Sequence, residues 1–236
     1  MTPLRRRLLA AGGLLLAVLA GGGWWLYVQL DAIIKRAITH YGSQMTQARV
    51  SVDSVQLRST DGIGIVRGLQ VGNPPGFRSA HAIKVGVIEV AVDVRTLADP
   101  VVVIKRILIE APDVIYEQGE SLTNFDAIQQ NIARSLASGS SEGGASQKTA
   151  RKLIVDELII RRARAKVSAA ATLGRQVSTT LPDITLRRLG RAEGGLTPAQ
   201  LGQVVARTLS QRLVASLVID KTVKSLGDRV KGLFGR

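Results

Sequence analysis

The stretch Ala82–Val94, AIKVGVIEVAVDV, alternates apolar and polar residues and then changes phase. Ile83, Val85 and Val87 share one face of a strand, while Ile88, Val90, Val92 and Val94 share the other. Successive side chains of a strand point to opposite faces, so a slip of one residue exchanges them. The phase change therefore predicts either a β-bulge or a strand buried on both sides.

The same period extends to either side. Val50, Val52, Val55 and Leu57 suggest a strand with one slip, and Asp61-Gly62 marks a turn. Ile63, Ile65, Val66, Leu69 and Val71 suggest a second strand, ended by Asn73-Pro74-Pro75-Gly76. After the break at Asp99-Pro100, a fourth strand runs from Val101 to Tyr116, bent near Pro112. Four strands with short turns predict an antiparallel meander. One apolar face would pack on helices; the other would line a groove or meet a second layer.

Helical spacing appears on both sides of this block. Ile33, Ile34, Ala37, Ile38 and Tyr41 give one apolar face to a helix over Asp31–Gln47. Asn124 is placed to cap a second helix over Phe125–Ala137. Ser138–Gln147, SGSSEGGASQ, has linker composition. Strands are expected at Leu153–Ile160, Ala165–Leu173 and Gln176–Leu186, the last interrupted by Pro182. They either extend the first sheet or form a second unit. Thr197 with Pro198 opens a long amphipathic helix to about Lys231, which docks on the sheet or lies on an anionic membrane.

At the other end, Leu8–Leu30 is an apolar run without a charged side chain, preceded by Arg5, Arg6 and Arg7. About 20 helical residues span a bilayer core, and flanking cations favour the cytoplasmic side. Trp24 and Trp25 suit the outer interface. The expectation is a single-pass anchor in the inner (cytoplasmic) membrane, with the C-terminal domain in the periplasm. A signal peptide cleaved after Ala20 is the rival reading. The expected fold is α+β: a transmembrane helix, a curved, groove-like, mostly antiparallel sheet with packing helices, and a long C-terminal amphipathic helix. The expected segments are 1–30 (basic tip and anchor), 31–137 (helix and meander), 138–150 (linker) and 151–236 (basic strands and last helix).

Charge divides the 236-residue chain unevenly. Residues 1–147 hold 14 Lys/Arg against 12 Asp/Glu, a net of +2, and residues 148–236 hold 18 against 6, a net of +12. Outside the cytoplasm such a segment suits anionic lipid head groups or an acidic protein, not nucleic acid. The absence of cysteine excludes disulfides and thiol chemistry. No metal spacing, nucleophile elbow or phosphate loop is present, so neither catalytic residues nor a cofactor are expected. His40 and His81 read as ordinary surface residues. Glu110, Asp113 and Glu117 read as a solvated edge beside Lys105 and Arg106.

Four segments in order carry a family pattern: GLQVGNPPGF (Gly68–Phe77), AIKVGVIEVAVDVRTL (Ala82–Leu97), VVVIKRILIEAPDVIYEQ (Val101–Gln118) and TNFDAIQQNI (Thr123–Ile132). The chain here resembles the N-terminal region of AsmA-like envelope proteins, over about residues 1–135. The matching positions are Asn73, Pro74, Gly76, Phe77, Asp93, Leu97, Pro112, Tyr116, Glu117 and Asn124, which look structural. The resemblance implies a β-groove that handles phospholipid. Roughly seven to nine strands at about 4.8 Å spacing make a sheet about 35–45 Å wide, too short to bridge two membranes alone.

The expected function is therefore passive lipid binding, transport or envelope maintenance. An apolar face with Val85, Val90, Val92, Val103 and Ile107 would shelter acyl chains. Arg161, Arg162 and Arg164, with Lys166, Arg187 and Arg188 at the rim, would hold the phosphate of membrane phospholipids or other anionic envelope lipids. The alternative is a structural subunit whose apolar faces bind an envelope protein or a second copy of the chain.

Overall fold

The computed structural model describes residues 29–58, 61–141, 151–169 and 177–234, with the backbone alone for 139–141, 169, 177 and 217–234. The first helix, α1, covers residues 29–46. Then follow β1 (Val50–Ser51), β2 (Ser54–Arg58), β3 (Ile63–Val71), β4 (Ile83–Val92), a 3-10 turn (Val94–Thr96), β5 (Val101–Glu110) and β6 (Asp113–Gln118). Helix α2 (Asn124–Ser141) leads to β7 (Lys152–Arg161), β8 (Arg164–Ala169), β9 (Val177–Thr180) and β10 (Ile184–Leu189), and α3 (Pro198–Phe234) closes the described chain.

The ten strands form one sheet and behave as six lines, four of them interrupted. β1 and β2 keep a single register against β3 (Val50↔Val71, Ser54↔Arg67). β5 and β6 share one register against β4 from Ala91 back to Ile83 (Val87↔Glu110, Lys84↔Asp113), and the register shifts by one residue between Ala91 and Val92, where Val92 pairs with Ile104. β7 and β8 follow β5 and β6 (Glu110↔Arg161, Asp113↔Arg164), and β10 and β9 follow β7 and β8 (Ile184↔Ile160, Thr180↔Arg164). Extending each register across its gap puts Asp53, Gly68, Gly86, Ala111, Arg162 and Pro182 on one transverse line. Gly68, Ala111 and Arg162 there have φ of 63°, 45° and 51°. Gly68 needs its missing side chain, because a Cβ would collide with the Asp53 carboxylate.

Along this crease every line spends an extra residue on the same rung. The pairing survives, and the inward-facing parity changes: Val85 gives way to Ile88, Ile160 to Ala163, and Leu181 to Ile184. The phase change in Ala82–Val94 is the trace of this crease in one strand. The switch keeps apolar side chains against one core on both sides of the bend.

That core lies between the inner face and the helices. Val114, Val155, Leu158, Ile160 and Ile184 meet Phe125, Ile128 and Ile132 of α2 and Leu209 and Leu213 of α3. Each such burial contributes about 1.5–3 kcal/mol. Helix α1 lies along the β1–β2 edge: Lys35 Nζ donates to the Asp53 carbonyl (2.7 Å), and the Leu57 N–H donates to Asp31 Oδ1 (3.1 Å).

Capping starts α3 as its sequence suggests. The Gln200 N–H donates to Thr197 Oγ1 (3.2 Å) and the Thr197 N–H to Gln200 Oε1 (2.8 Å), with Pro198 at the first helical position. At α2 the cap is Thr123, not Asn124. Thr123 Oγ1 donates to Asp126 Oδ2 (2.6 Å) and accepts from the Asp126 N–H (3.1 Å). Asn124 is freed to turn back onto β6. Its Nδ2 donates to Asn73 Oδ1 (2.8 Å) and to the Ile115 carbonyl (2.7 Å), and its Oδ1 accepts the N–H groups of Glu117 and Phe125 (both 3.0 Å).

Two expectations are corrected. No helix among the described residues is long and apolar enough to cross a membrane, so the single-pass inner-membrane anchor with a periplasmic domain is not supported. Asp31, Lys35 and Arg36 interrupt α1, and Arg207, Gln211 and Arg212 interrupt α3. Arg5, Arg6, Arg7, Trp24, Trp25 and nearly all of the apolar run lie outside the described residues. For the expected groove-like sheet, seven of the nine strand pairings are antiparallel, but two run parallel, and among the described residues the face turned to the helices offers no open groove. β5 pairs with β7 and β6 with β8 in parallel, with α2 in the crossover between them, and the inner face is filled by α2 and α3.

Candidate functional site

Beyond the crease, β6, β8 and β9 pair so that Asp113, Arg164 and Thr180 share one rung, and Ile115, Lys166 and Ser178 share another two residues on. Residues paired in register point to the same face, and alternate residues repeat it. This outer face therefore gathers two cations, a carboxylate and two hydroxyls over the Ile115 side chain. A cavity of about 300 Å³ opens there, lined by Asp113, Arg164, Ala165, Lys166, Ser178, Thr179 and Thr180.

The polar groups are unequally partnered. Asp113 Oδ2 sits 3.4 Å from Lys166 Nζ and 3.3 Å from His81 Nε2. Asp113 Oδ1 and His81 Nε2 are nevertheless buried without a hydrogen-bond partner. Arg164 is exposed, and no carboxylate lies within ion-pair distance of it among the described residues. Across the crease, Arg162 Nη2 reaches Glu110 Oε2 (2.5 Å), and the Arg162 N–H donates to Asp183 Oδ1 (3.0 Å). Arg187 pairs with Glu157 and Arg191 with Asp156. Among the described residues, Arg161, Arg164 and Arg188 are the cations of the expected rim that form no ion pair.

The apolar candidates separate by face. Val85 and Ile107 are buried in the core, and Val90 and Val92 pack against it from the sheet's inner side. Val103 points the other way, paired with Ile154. On that outer face the rung Ile65–Glu89–Leu108–Ile159–Thr185 crosses five lines of the sheet, and Val87, on the next rung, is 42 % exposed. The outer face is thus a half-exposed aliphatic surface crossed by ion pairs such as Arg106–Glu89 (2.9 Å).

Sequence reasoning missed three members of the cavity, Asp113, Ser178 and Thr180, and the His81 side chain beside Asp113. His81, expected at the surface, has a side chain only 12 % exposed. Asp113 leaves the expected acidic edge, because Glu110 turns to Arg162 and Glu117 accepts the N–H groups of Arg78 (2.8 Å) and Ser79 (2.7 Å). Ser178 and Thr180 needed the β8–β9 register, which no single-strand pattern supplies.

Asn73, Asp93, Tyr116 and Glu117 hold the frame around the site. Burial alone would raise the Glu117 carboxyl, but the Ser79 hydroxyl and the N–H groups of Arg78 and Ser79 outweigh it and hold it below the ordinary value. Asn73 donates to Ser79, and Tyr116 stacks on Phe125 with centroids 6.1 Å apart. Asp93 caps the 3-10 turn, and its hydrogen-bonded Arg95 guanidinium keeps its carboxyl well below the usual carboxylate range. Asn73, Asp93 and Glu117 are thus tied into the frame by hydrogen bonds. Among the described residues no cluster of three or more His, Asp or Glu side chains is placed to hold a metal ion. No protein-family model matches the chain, and no curated protein matches it.

Proposed function

We propose that the chain is a non-catalytic, AsmA-like lipid-binding protein that uses the outer face of its sheet. One observation carries the reading: Arg164, exposed and without an ion-pair partner among the described residues, stands in register with Thr180 at a cavity that also presents Lys166 and Ser178. A phosphate diester fits that donor set, since guanidinium, ammonium and hydroxyl groups all donate to its oxygens. The acyl chains run across the crease onto Leu108, Ile159, Val103 and Ile154. Binding is passive: the cations fix the head group, and the aliphatic rungs remove the chains from water. The resemblance at Gly68–Phe77 and Val101–Gln118 points the same way.

Native mass spectrometry with lipid extraction on the purified full chain tests it. The expected result is bound phospholipid, with occupancy lowered at least about tenfold by Arg164→Glu. A folded chain that carries no phospholipid and takes up none from phosphatidylglycerol vesicles overturns the reading. The second reading, an interaction subunit, draws on the β9–β10 edge, whose strands pair on one side only among the described residues. It is favoured if a protein partner co-purifies at fixed stoichiometry without lipid.

A further inference from the structure

Away from the basic cavity, two hollows of about 390 and 540 Å³ share Gln47, Asn131 and Arg134 as lining residues. They form one cleft between the end of α1, the Asn73–Phe77 turn, the β6–α2 loop and α2. Its chemistry differs from that of the basic cavity. Gln44, Gln47, Gln130, Arg134 and Glu120 line it, with the Phe77 ring at one side. One cation and one carboxylate leave it without net charge.

Amide, guanidinium and carboxylate groups each present two hydrogen-bonding atoms at a fixed separation. Adjacent hydroxyls on a sugar ring match that spacing, and the C–H face of the ring matches an aromatic side chain. The donors are held in place before any ligand arrives. Asn131 Nδ2 donates to the Thr46 carbonyl (2.8 Å), and Asn131 Oδ1 accepts from Arg134 Nη2 (2.6 Å), which ties the guanidinium to the cleft wall. Gln47 follows the last residue of α1 and has φ of 53°, the left-handed conformation that commonly ends a helix, which sets where its side chain leaves the backbone. The cleft lies between helices and loops and offers no strand edge, the feature on which an extended peptide would pair.

We propose that this cleft binds a short, uncharged oligosaccharide. The proposal is independent of the lipid site, and its test keeps the two apart. The full chain is titrated with chitotriose, maltotriose and cellotriose, using saturation-transfer NMR and calorimetry. At least one trisaccharide binds, and Gln47→Ala and Arg134→Ala each weaken that binding about tenfold or more. Affinity stays within about twofold from about 50 to about 500 mM salt, because screening leaves a neutral ligand untouched. Arg164→Glu leaves sugar binding unchanged. Gln130→Ala, on the exposed face of α2, serves as the second cleft variant if Arg134→Ala perturbs folding. The proposal fails if the folded chain binds none of the three sugars. It fails equally if the cleft variants bind as the parent does, or if affinity falls steeply with salt as for an anionic ligand.

Discussion

Glu117 and Asp113 stand on the same face of β6 and are partnered in opposite ways. Both oxygens of Glu117 accept N–H groups from the turn after Gly76, and the Glu117 N–H is itself taken by Asn124. Asp113 shares one oxygen between Lys166 and His81 and leaves the other buried and unpaired. Polar groups inside proteins are almost always satisfied, so a closed network marks a structural joint, whereas the unpaired Asp113 oxygen marks a carboxylate that the frame does not hold in the same way.

Asn124→Ala gives the largest expected effect. It removes the acceptor for two N–H groups and the donor for Asn73 Oδ1 and the Ile115 carbonyl, all at a fully buried residue. Unpaired buried groups cost about 1–3 kcal/mol each before relaxation, so a loss of about 3 kcal/mol is expected. Urea unfolding with an unchanged m-value checks it. A loss below about 1 kcal/mol would mean that water replaces Asn124 and the network is not a closed joint.

Next comes Glu117→Gln, expected to cost about 1 kcal/mol at neutral pH by weakening charge-assisted acceptance of two N–H groups. Its pH dependence has a definite sign. The native carboxyl titrates below the ordinary value of 4.5, so its stabilisation is complete above that value and is lost as pH falls through the lowered native pKa. Melting temperature measured from pH 6 down to about pH 3 should therefore fall less steeply in the Gln variant than in the parent. Parallel curves would assign the acid sensitivity to another carboxylate.

How much of this was legible in the sequence depends on how far apart the interacting residues lie. The alternation of Val50–Leu57, Ile63–Val71 and Val101–Tyr116 is local and located those strands. The phase change at Val87–Ile88 signalled an irregularity, yet one strand does not reveal that five neighbours bend on the same rung. The parallel join of β5 to β7 was hidden for a similar reason. A crossover through α2 and the Ser138–Gln147 stretch has the composition of a boundary, so an extended sheet and a second unit remained equally readable until Val101↔Lys152 fixed the pairing. At the site, the basic run Arg161–Arg164 stood out as charge, but the partners that sort it are remote. Glu110 takes Arg162, while Arg164 has Asp113 and Thr180 as register partners and forms no ion pair among the described residues.

The smallest expected effect on stability separates the two carboxylates most cleanly. Asp113→Asn removes an ion pair whose Lys166 side chain is 38 % exposed and whose separation is 3.4 Å, and such pairs contribute about 0–1 kcal/mol. It also relieves a carboxylate oxygen that has no partner, which offsets part of that loss. The variant should therefore unfold within about 0.5 kcal/mol of the parent. Its effect on the cavity runs the other way. With the anion gone, Arg164 and Lys166 face an incoming phosphate without an internal competitor, and phosphatidylglycerol uptake should rise a few-fold, more at low salt than at high. Measuring unfolding and lipid uptake on the same preparation decides between the two roles. A large loss of stability with unchanged uptake would make Asp113 a second structural joint like Glu117, and the contrast on β6 would disappear along with the site built on it.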